Sequence, residues 1–187
     1  MTYDIHNQKR KQKGSFTHAL KHRSGLNVIF KHEEKQVFHM LGILAQEPFE
    51  LIIELGTHQG GLTKLMEDIF PSLPIHTYDN VDLTRNNRKY FGEKVYFHIE
   101  SVLVPSRSLI KLLSDPAKKL LYCDNGKKKQ EVEMYSQYLY PGDLIAVHDW
   151  GNEIFWEDVQ SYIGDWRRIG WPTLEYIGST TRIWQKV

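Results

Sequence analysis

The chain has 187 residues, enough for one domain with a full core. Its 24 basic and 23 acidic residues nearly cancel, so no global charge points to nucleic acid or to a membrane surface. One cysteine, Cys123, excludes an intrachain disulfide; no apolar run approaches the roughly 20 residues of a membrane span and no apolar signal segment follows the N-terminus, so the expectation is a cytoplasmic protein.

Residues 1–14 are polar and carry Lys9, Arg10, Lys11 and Lys13, which reads as a basic flexible tail ahead of a single domain over 15–187. Phe16 to Phe30 reads as irregular, with a turn at Gly25. Glu33 to Gln46 reads as a helix with Val37, Leu41 and Leu44 on one face, stopped by Pro48; residues 15–48 form an N-terminal extension. Strands and helices then alternate: strands at 49–55, 75–78, 95–99, 119–123 and 144–147, helices at about 60–70, 84–91, 105–113, 128–139 and 154–163. Two late strands, 173–177 and 182–185, are joined by Gly178-Ser179-Thr180-Thr181 and read as a hairpin. The fold class is α/β: a Rossmann-like three-layer sandwich with a mostly parallel seven-stranded sheet and a C-terminal antiparallel hairpin.

The first strand, Leu51-Ile52-Ile53-Glu54-Leu55, runs into Gly56, and Gly60-Gly61 opens the next helix. Glycine there permits positive φ and close approach of a ligand, and the helix start offers unpaired N–H groups. The pattern is Glu54-x-Gly56-x-x-x-Gly60-Gly61, with Thr57 one residue after the first glycine, so it departs from the GxGxxG of dinucleotide sites. Glu54 suits a cationic ligand such as S-adenosylmethionine (SAM) rather than a pyrophosphate. His58 is placed to contact a cofactor through its backbone.

Polar residues close each of the five predicted parallel strands: Glu54, Asp79, Glu100-Ser101, Asp124 and His148-Asp149. Ligands of open α/β sheets bind at that edge. Asp79, 23 residues after Gly56 and followed by Asn80, is placed to accept ribose hydroxyls. Ser101 is a candidate for reading adenine. Asp124 and Asp149, with Asn152 nearby, could hold Mg²⁺ or Ca²⁺ through oxygen. Alternatively, His148 is a general base, since its reference pKa of about 6.5 suits proton removal at neutral pH. Trp150, Phe155 and Trp156 could wall an acceptor pocket, or pack helix on sheet. Cys123 reads as core, and Lys127-Lys128-Lys129 as a solvated helix face. The remaining histidines, His6, His18, His22, His32, His39, His76 and His98, lack zinc-ligand spacing and receive no role.

With these residues in view, the chain resembles class I SAM-dependent methyltransferases. More narrowly, Gly25 to Leu62 is similar to the cephalosporin hydroxylase/rhamnosyl O-methyltransferase group and related small-molecule O-methyltransferases. The resemblance implies SAM contacts at Glu54, Gly56 and Asp79, and metal-binding acids after the fourth and fifth strands at Asp124 and Asp149. It also departs from the group, whose members often carry Asp-x-x-His-x-Tyr after the fourth strand where this chain has Asp124-Asn125-Gly126-Lys127-Lys128-Lys129. The expectation is O-methylation of a small-molecule hydroxyl by a cytoplasmic enzyme. SAM would be held by Glu54, Gly56, Thr57, Gly60, Gly61, Asp79, Asn80, Ser101 and Asp124, with His148 and Asp124 catalytic and Mg²⁺ and a homo-oligomer left open. The alternatives are an RNA or protein methyltransferase that uses the basic tail, a non-catalytic scaffold of the same fold, and an NAD-dependent oxidoreductase, against which Glu54 and Thr57 argue.

Overall fold

A computed structural model describes residues 4–6, 18–30 and 32–187. Its centre is a seven-stranded sheet in the order β6-β5-β4-β7-β8-β10-β9. The strands are β4 (Leu51–Leu55), β5 (Ile75–Asp79), β6 (Val95–Ile99), β7 (Lys119–Cys123), β8 (Leu144–Val147), β9 (Arg167–Ile169) and β10 (Arg182–Gln185). β4 pairs in parallel with both β5 and β7, and β7 with β8. β10 is antiparallel to β8 and to β9. The expected α/β sandwich and its mostly parallel sheet are therefore present.

Strand alternation explains the layers, because neighbouring residues point to opposite faces. Ile52, Leu120, Tyr122, Leu144 and Ala146 join one core, packed under α1 (Glu34–Leu44) and α2 (Gly61–Ile69). Leu51, Ile53, Leu121, Cys123, Ile145 and Val147 join the other, under α3 (Arg107–Leu113), α4 (Lys128–Tyr135) and α5 (Trp156–Ile163). Cys123 is thus a buried core residue. The expected helix over 84–91 is only a 3₁₀ turn at Arg88–Tyr90, where the Thr84 carbonyl accepts from both the Asn87 and Arg88 N–H groups.

The closing hairpin is built differently from expectation. Residues 173–176 form a short helix, α6 (Thr173–Tyr176), and the antiparallel neighbour of β10 is β9. Only Leu174 of that segment is buried and Tyr176 is almost fully exposed, so a strand there would find no second apolar row. Pro172 stands at the N-cap of this helix, and the Tyr176 N–H donates to its carbonyl.

The N-terminal segment also differs. β2 (His18–Lys21) and β3 (Asn27–Phe30) form a hairpin where irregular chain was expected, turning through Gly25 at φ +93°. β1 (Asp4–His6), inside the stretch read as tail, pairs with β2. The basic cluster Lys9, Arg10, Lys11 and Lys13 lies outside the described residues. Leu20, Val28 and Phe30 enter the core beside α2, and His22 Nε2 lies 2.6 Å from Asp68 Oδ2 on that helix.

The chain runs outward from β4 to β6 and then returns to β7 on the other side of β4. That reversal makes β4/β7 the switch point of the sheet, where a crevice opens beyond the strand ends.

Candidate functional site

The crevice is a cleft of about 950 Å³, at the upper end of small-molecule sites. One part is built from the glycine turn and the end of β5: Gly56, Thr57, His58, Gly61, Leu62, Asp79, Asn80, Val81 and Leu83 line it. The opposite part is built from the ends of β7 and β8, with Asp124, Asn125, Gly126, Lys128, His148, Asp149, Asn152 and Glu153. Ile29, Phe30, His32, Glu33 and Gln36 of the N-terminal extension and Thr180 complete the wall.

Gly56 is at φ +108°, and a Cβ on it would lie 2.5 Å from the Asp124 backbone oxygen. Only glycine lets the ends of β4 and β7 approach this closely. Gly60, at φ +83°, precedes α2; a Cβ there would strike the Phe91 ring, so it shapes the turn without lining the cleft. Asp79 fixes the same loop. Its Oδ2 accepts from the His58 N–H at 2.8 Å and its Oδ1 from the Val81 N–H at 3.1 Å. Each oxygen keeps capacity for a further donor.

Glu54 does not line the cleft. It is buried beneath it, where Oε2 accepts from Thr63 Oγ1 at 2.6 Å and Thr77 Oγ1 at 2.5 Å. Burial pushes its pKa up to about 8 against the opposing effect of those hydroxyls, so at neutral pH it is protonated. The negative charge expected to attract a cationic ligand is therefore not presented; Glu54 anchors the turn through Thr63 and Thr77. Ser101 does not line the cleft either; it is exposed, and its Oγ accepts from the Leu103 N–H at 3.3 Å. The three aromatic residues are displaced as well. Trp150 and Trp156 pack against Trp184 at ring separations of 5.0 and 6.5 Å, and Phe155 is exposed.

The strand ends of β7 and β8 bring Asp124 and His148 together as expected, with Nδ1 of the histidine 3.1 Å from Oδ1 of the acid. His148 Nε2 lies 3.2 Å from Thr180 Oγ1. His32, given no role from sequence, reaches the same carboxylate: its Nε2 is 3.3 Å from Asp124 Oδ2 and 3.2 Å from Tyr122 Oη. The His32 and His148 rings are 4.3 Å apart. Burial opposes a charge on His148, but the Asp124 carboxylate outweighs it and raises the pKa to about 9. Burial, and then the His148 charge, lower His32. Burial alone would raise Asp124, but the charge and hydrogen bond of His148 and the contact with His32 bring it down. At neutral pH the arrangement is an imidazolium–carboxylate pair beside a neutral imidazole.

Lys128, read as part of a solvated face, is 4% exposed. Its ammonium lies 2.6 Å from Asp149 Oδ2, 2.7 Å from Glu153 Oε2 and 3.5 Å from Asp124 Oδ1. A hard dication wants near-octahedral oxygen ligation at about 2.0–2.1 Å. Here an ammonium stands between the two acids expected to supply that ligation, so the residues do not fit Mg²⁺. No spacing rule marks Lys128 or His32; their signal is tertiary.

No protein-family model and no curated protein matches the sequence. Solved structures do. Human N-acetylserotonin methyltransferase in complex with SAM aligns at TM-score 0.54 and 15% identity over 81% of this chain and 51% of that one. An O-methyltransferase family protein from Burkholderia thailandensis aligns at 0.54 and 12%, over 81% and 56%. The tRNA (m1A58) methyltransferase TrmI from Aquifex aeolicus aligns at 0.55 and 12%, over 82% and 68%. The chain thus spans only about half the length of the first two. At these identities the likeness shows the fold, that of SAM-dependent methyltransferases, with acceptors that differ from one neighbour to the next.

Proposed function

We propose that the chain is a SAM-dependent methyltransferase acting on a small-molecule hydroxyl. The observation that carries this is the glycine turn at the β4/β7 switch point, closed to any Cβ at Gly56 and braced by the Asp79 carboxylate on the same side of a cleft of cofactor size. Gly56, Thr57, Gly61, Asp79 and Asn80 would hold the cofactor, with Asp79 accepting from ribose hydroxyls and Leu62, Val81 and Leu83 offering apolar surface to the base. Bound there, SAM supplies an electrophilic methyl group.

The rest is positioning, which dominates when the protein supplies little covalent chemistry. The acceptor would lie over β7 and β8. His148 keeps Nδ1–H on Asp124, and in its neutral form Nε2, beside Thr180 Oγ1, can take the hydroxyl proton. With its pKa raised to about 9, His148 serves as a base increasingly as pH rises toward that value. The charge of Asp124 then stabilises the imidazolium formed.

Calorimetric titration with S-adenosylhomocysteine, with NAD as control, tests the cofactor. Saturable binding of the former alone is expected, weakened at least about tenfold by Asp79→Ala, a loss of the size expected for charge-assisted hydrogen bonds. Absence of binding to protein freed of co-purified nucleoside would sink the proposal. Methyl transfer from labelled SAM to bulk tRNA, with none to small hydroxyl compounds, would move the acceptor to RNA.

A further inference from the structure

Lys128 is the first residue of α4, where a cation opposes the helix dipole. Its position is set instead by carboxylates. Asp149 Oδ2 and Glu153 Oε2 take two of its N–H donors at 2.6 and 2.7 Å, and the remaining one faces Asp124 Oδ1 at 3.5 Å. An ammonium has three donors, so none is left for a substrate. Burial disfavours its charge, but Asp124 and the bonds to Asp149 and Glu153 outweigh that and raise its pKa, so the charge is permanent in the working range.

We infer that the Lys128 ammonium is a built-in cation at the acidic end of the cleft, filling the place where a divalent ion would bridge Asp124 and Asp149. Those two acids close adjacent parallel strands, and Asn152 and Glu153 stand on the same loop. Together they form an oxygen-rich corner that would suit a hard cation if the lysine were withdrawn. With the lysine present, a dication between the same oxygens must displace an ammonium held by three carboxylates. Asp149 is itself fixed at φ +57°, a left-handed conformation that aims its short side chain back at Lys128 and His148. Lys128 is therefore a positioning residue. It holds Asp149 and Asp124 at a set distance, sharing Asp124 Oδ1 with His148 and leaving Oδ2 to His32. The inference goes beyond the methyl-transfer proposal, and its test reads no methyl transfer, so either can fail without the other.

The test is titration of the whole chain with Mn²⁺, followed by the loss of the free-ion electron paramagnetic resonance signal. The wild type should show no saturable site that depends on Asp149 below about 1 mM, the weak end of carboxylate cation sites; Mn²⁺ held instead by His32, Asp124 and His148 is told apart by its survival in Asp149→Asn. Lys128→Ala should gain one site per chain, at least about tenfold tighter than anything in the wild type. Adding Asp149→Asn to that variant should abolish the new site. A wild-type site that Asp149→Asn removes would overturn the inference, and so would a folded Lys128→Ala that binds no Mn²⁺. Should Lys128→Ala be poorly folded, its thermal unfolding with and without millimolar Mn²⁺ decides the matter. Recovery of the transition toward wild type supports the inference, and no recovery overturns it. Lys128→Arg keeps the charge and should remain as blind to Mn²⁺ as the wild type.

Discussion

Two buried lysines mark the two ends of β7, and their surroundings differ in a way that separates structure from function. Lys119, at the start of the strand, is fully buried against Asp143, with Nζ 2.8 Å from Oδ2. Its ammonium also donates to the Asp115 carbonyl at 2.8 Å, and Asp143 accepts from the backbone N–H groups of Lys119 and Tyr140. One cation meets one carboxylate, and the pair is closed to water. Beyond the other end, Lys128 stands among three carboxylates, two of which also engage His148, and all of them line the open cleft. The balanced pair ties β7 to the turn before β8 and has nothing left to offer a ligand. The unbalanced cluster keeps surplus acceptors at the edge where ligands of α/β sheets bind.

Breaking the balanced pair should have the largest effect. Asp143→Ala leaves an uncompensated ammonium in the core, and such losses run to about 3–5 kcal/mol. The expected outcome is a large drop in the denaturation midpoint with cofactor affinity unchanged in whatever fraction stays folded. A loss below about 1 kcal/mol would mean that the Lys119 end is no more structural than a surface pair. Gly56→Ala comes next. Positive-φ strain of about 1–3 kcal/mol adds to the contact with the Asp124 backbone, which cannot swing aside as a flexible side chain would. It should weaken S-adenosylhomocysteine binding along with stability, whereas Asp143→Ala should touch stability alone.

The contrast also explains what was legible in the sequence. The β4 strand, the glycine turn and the acids closing each parallel strand are local patterns, and Asp79, Asp124, His148 and Asp149 all line the cleft. Glu54 was legible as a position but not as a role, because its burial and protonation depend on Thr63 and Thr77 arriving from α2 and β5. His32 and Lys128 were not legible at all. One lies in the extension, 92 residues before Asp124, and the other sits in a run of three lysines of which it alone turns inward. The 167–169 strand was hidden because Arg167 and Arg168 are exposed and only Ile169 is buried, which leaves no alternation to read.

A smaller effect than either substitution sharpens the comparison from the open end. His148 has its folded pKa raised from 6.5 to about 9. Its stabilising contribution is therefore full below about 6.5 and is lost as pH rises through about 9. Glu54, raised from 4.5 to about 8, also makes stability fall with rising pH, but between those two values. His148→Gln should flatten the dependence of stability on pH between about 6.5 and 9 and leave the fall between about 4.5 and 6.5, which belongs to Glu54, unchanged. A wild-type His148 ring that titrates by NMR near 6.5 would show that Asp124 does not hold the imidazolium.

The smallest expected effect is at Glu153, and it bears on whether the open cluster differs in kind from the closed pair. Glu153 is half exposed, while Lys128 beneath it is buried. In Glu153→Gln the ammonium keeps Asp149 at 2.6 Å and the charge of Asp124, so no unpaired cation results. The carboxylate removed was largely solvated, and such partners are worth about 0–1 kcal/mol. Thermal unfolding should therefore move little, against the large shift from Asp143→Ala, although both substitutions remove a carboxylate from a buried lysine. A loss at Glu153 approaching that at Asp143 would mean that Lys128 depends on every acid around it. The surplus of acceptors would then be used up in holding the lysine, and the two ends of β7 would be alike.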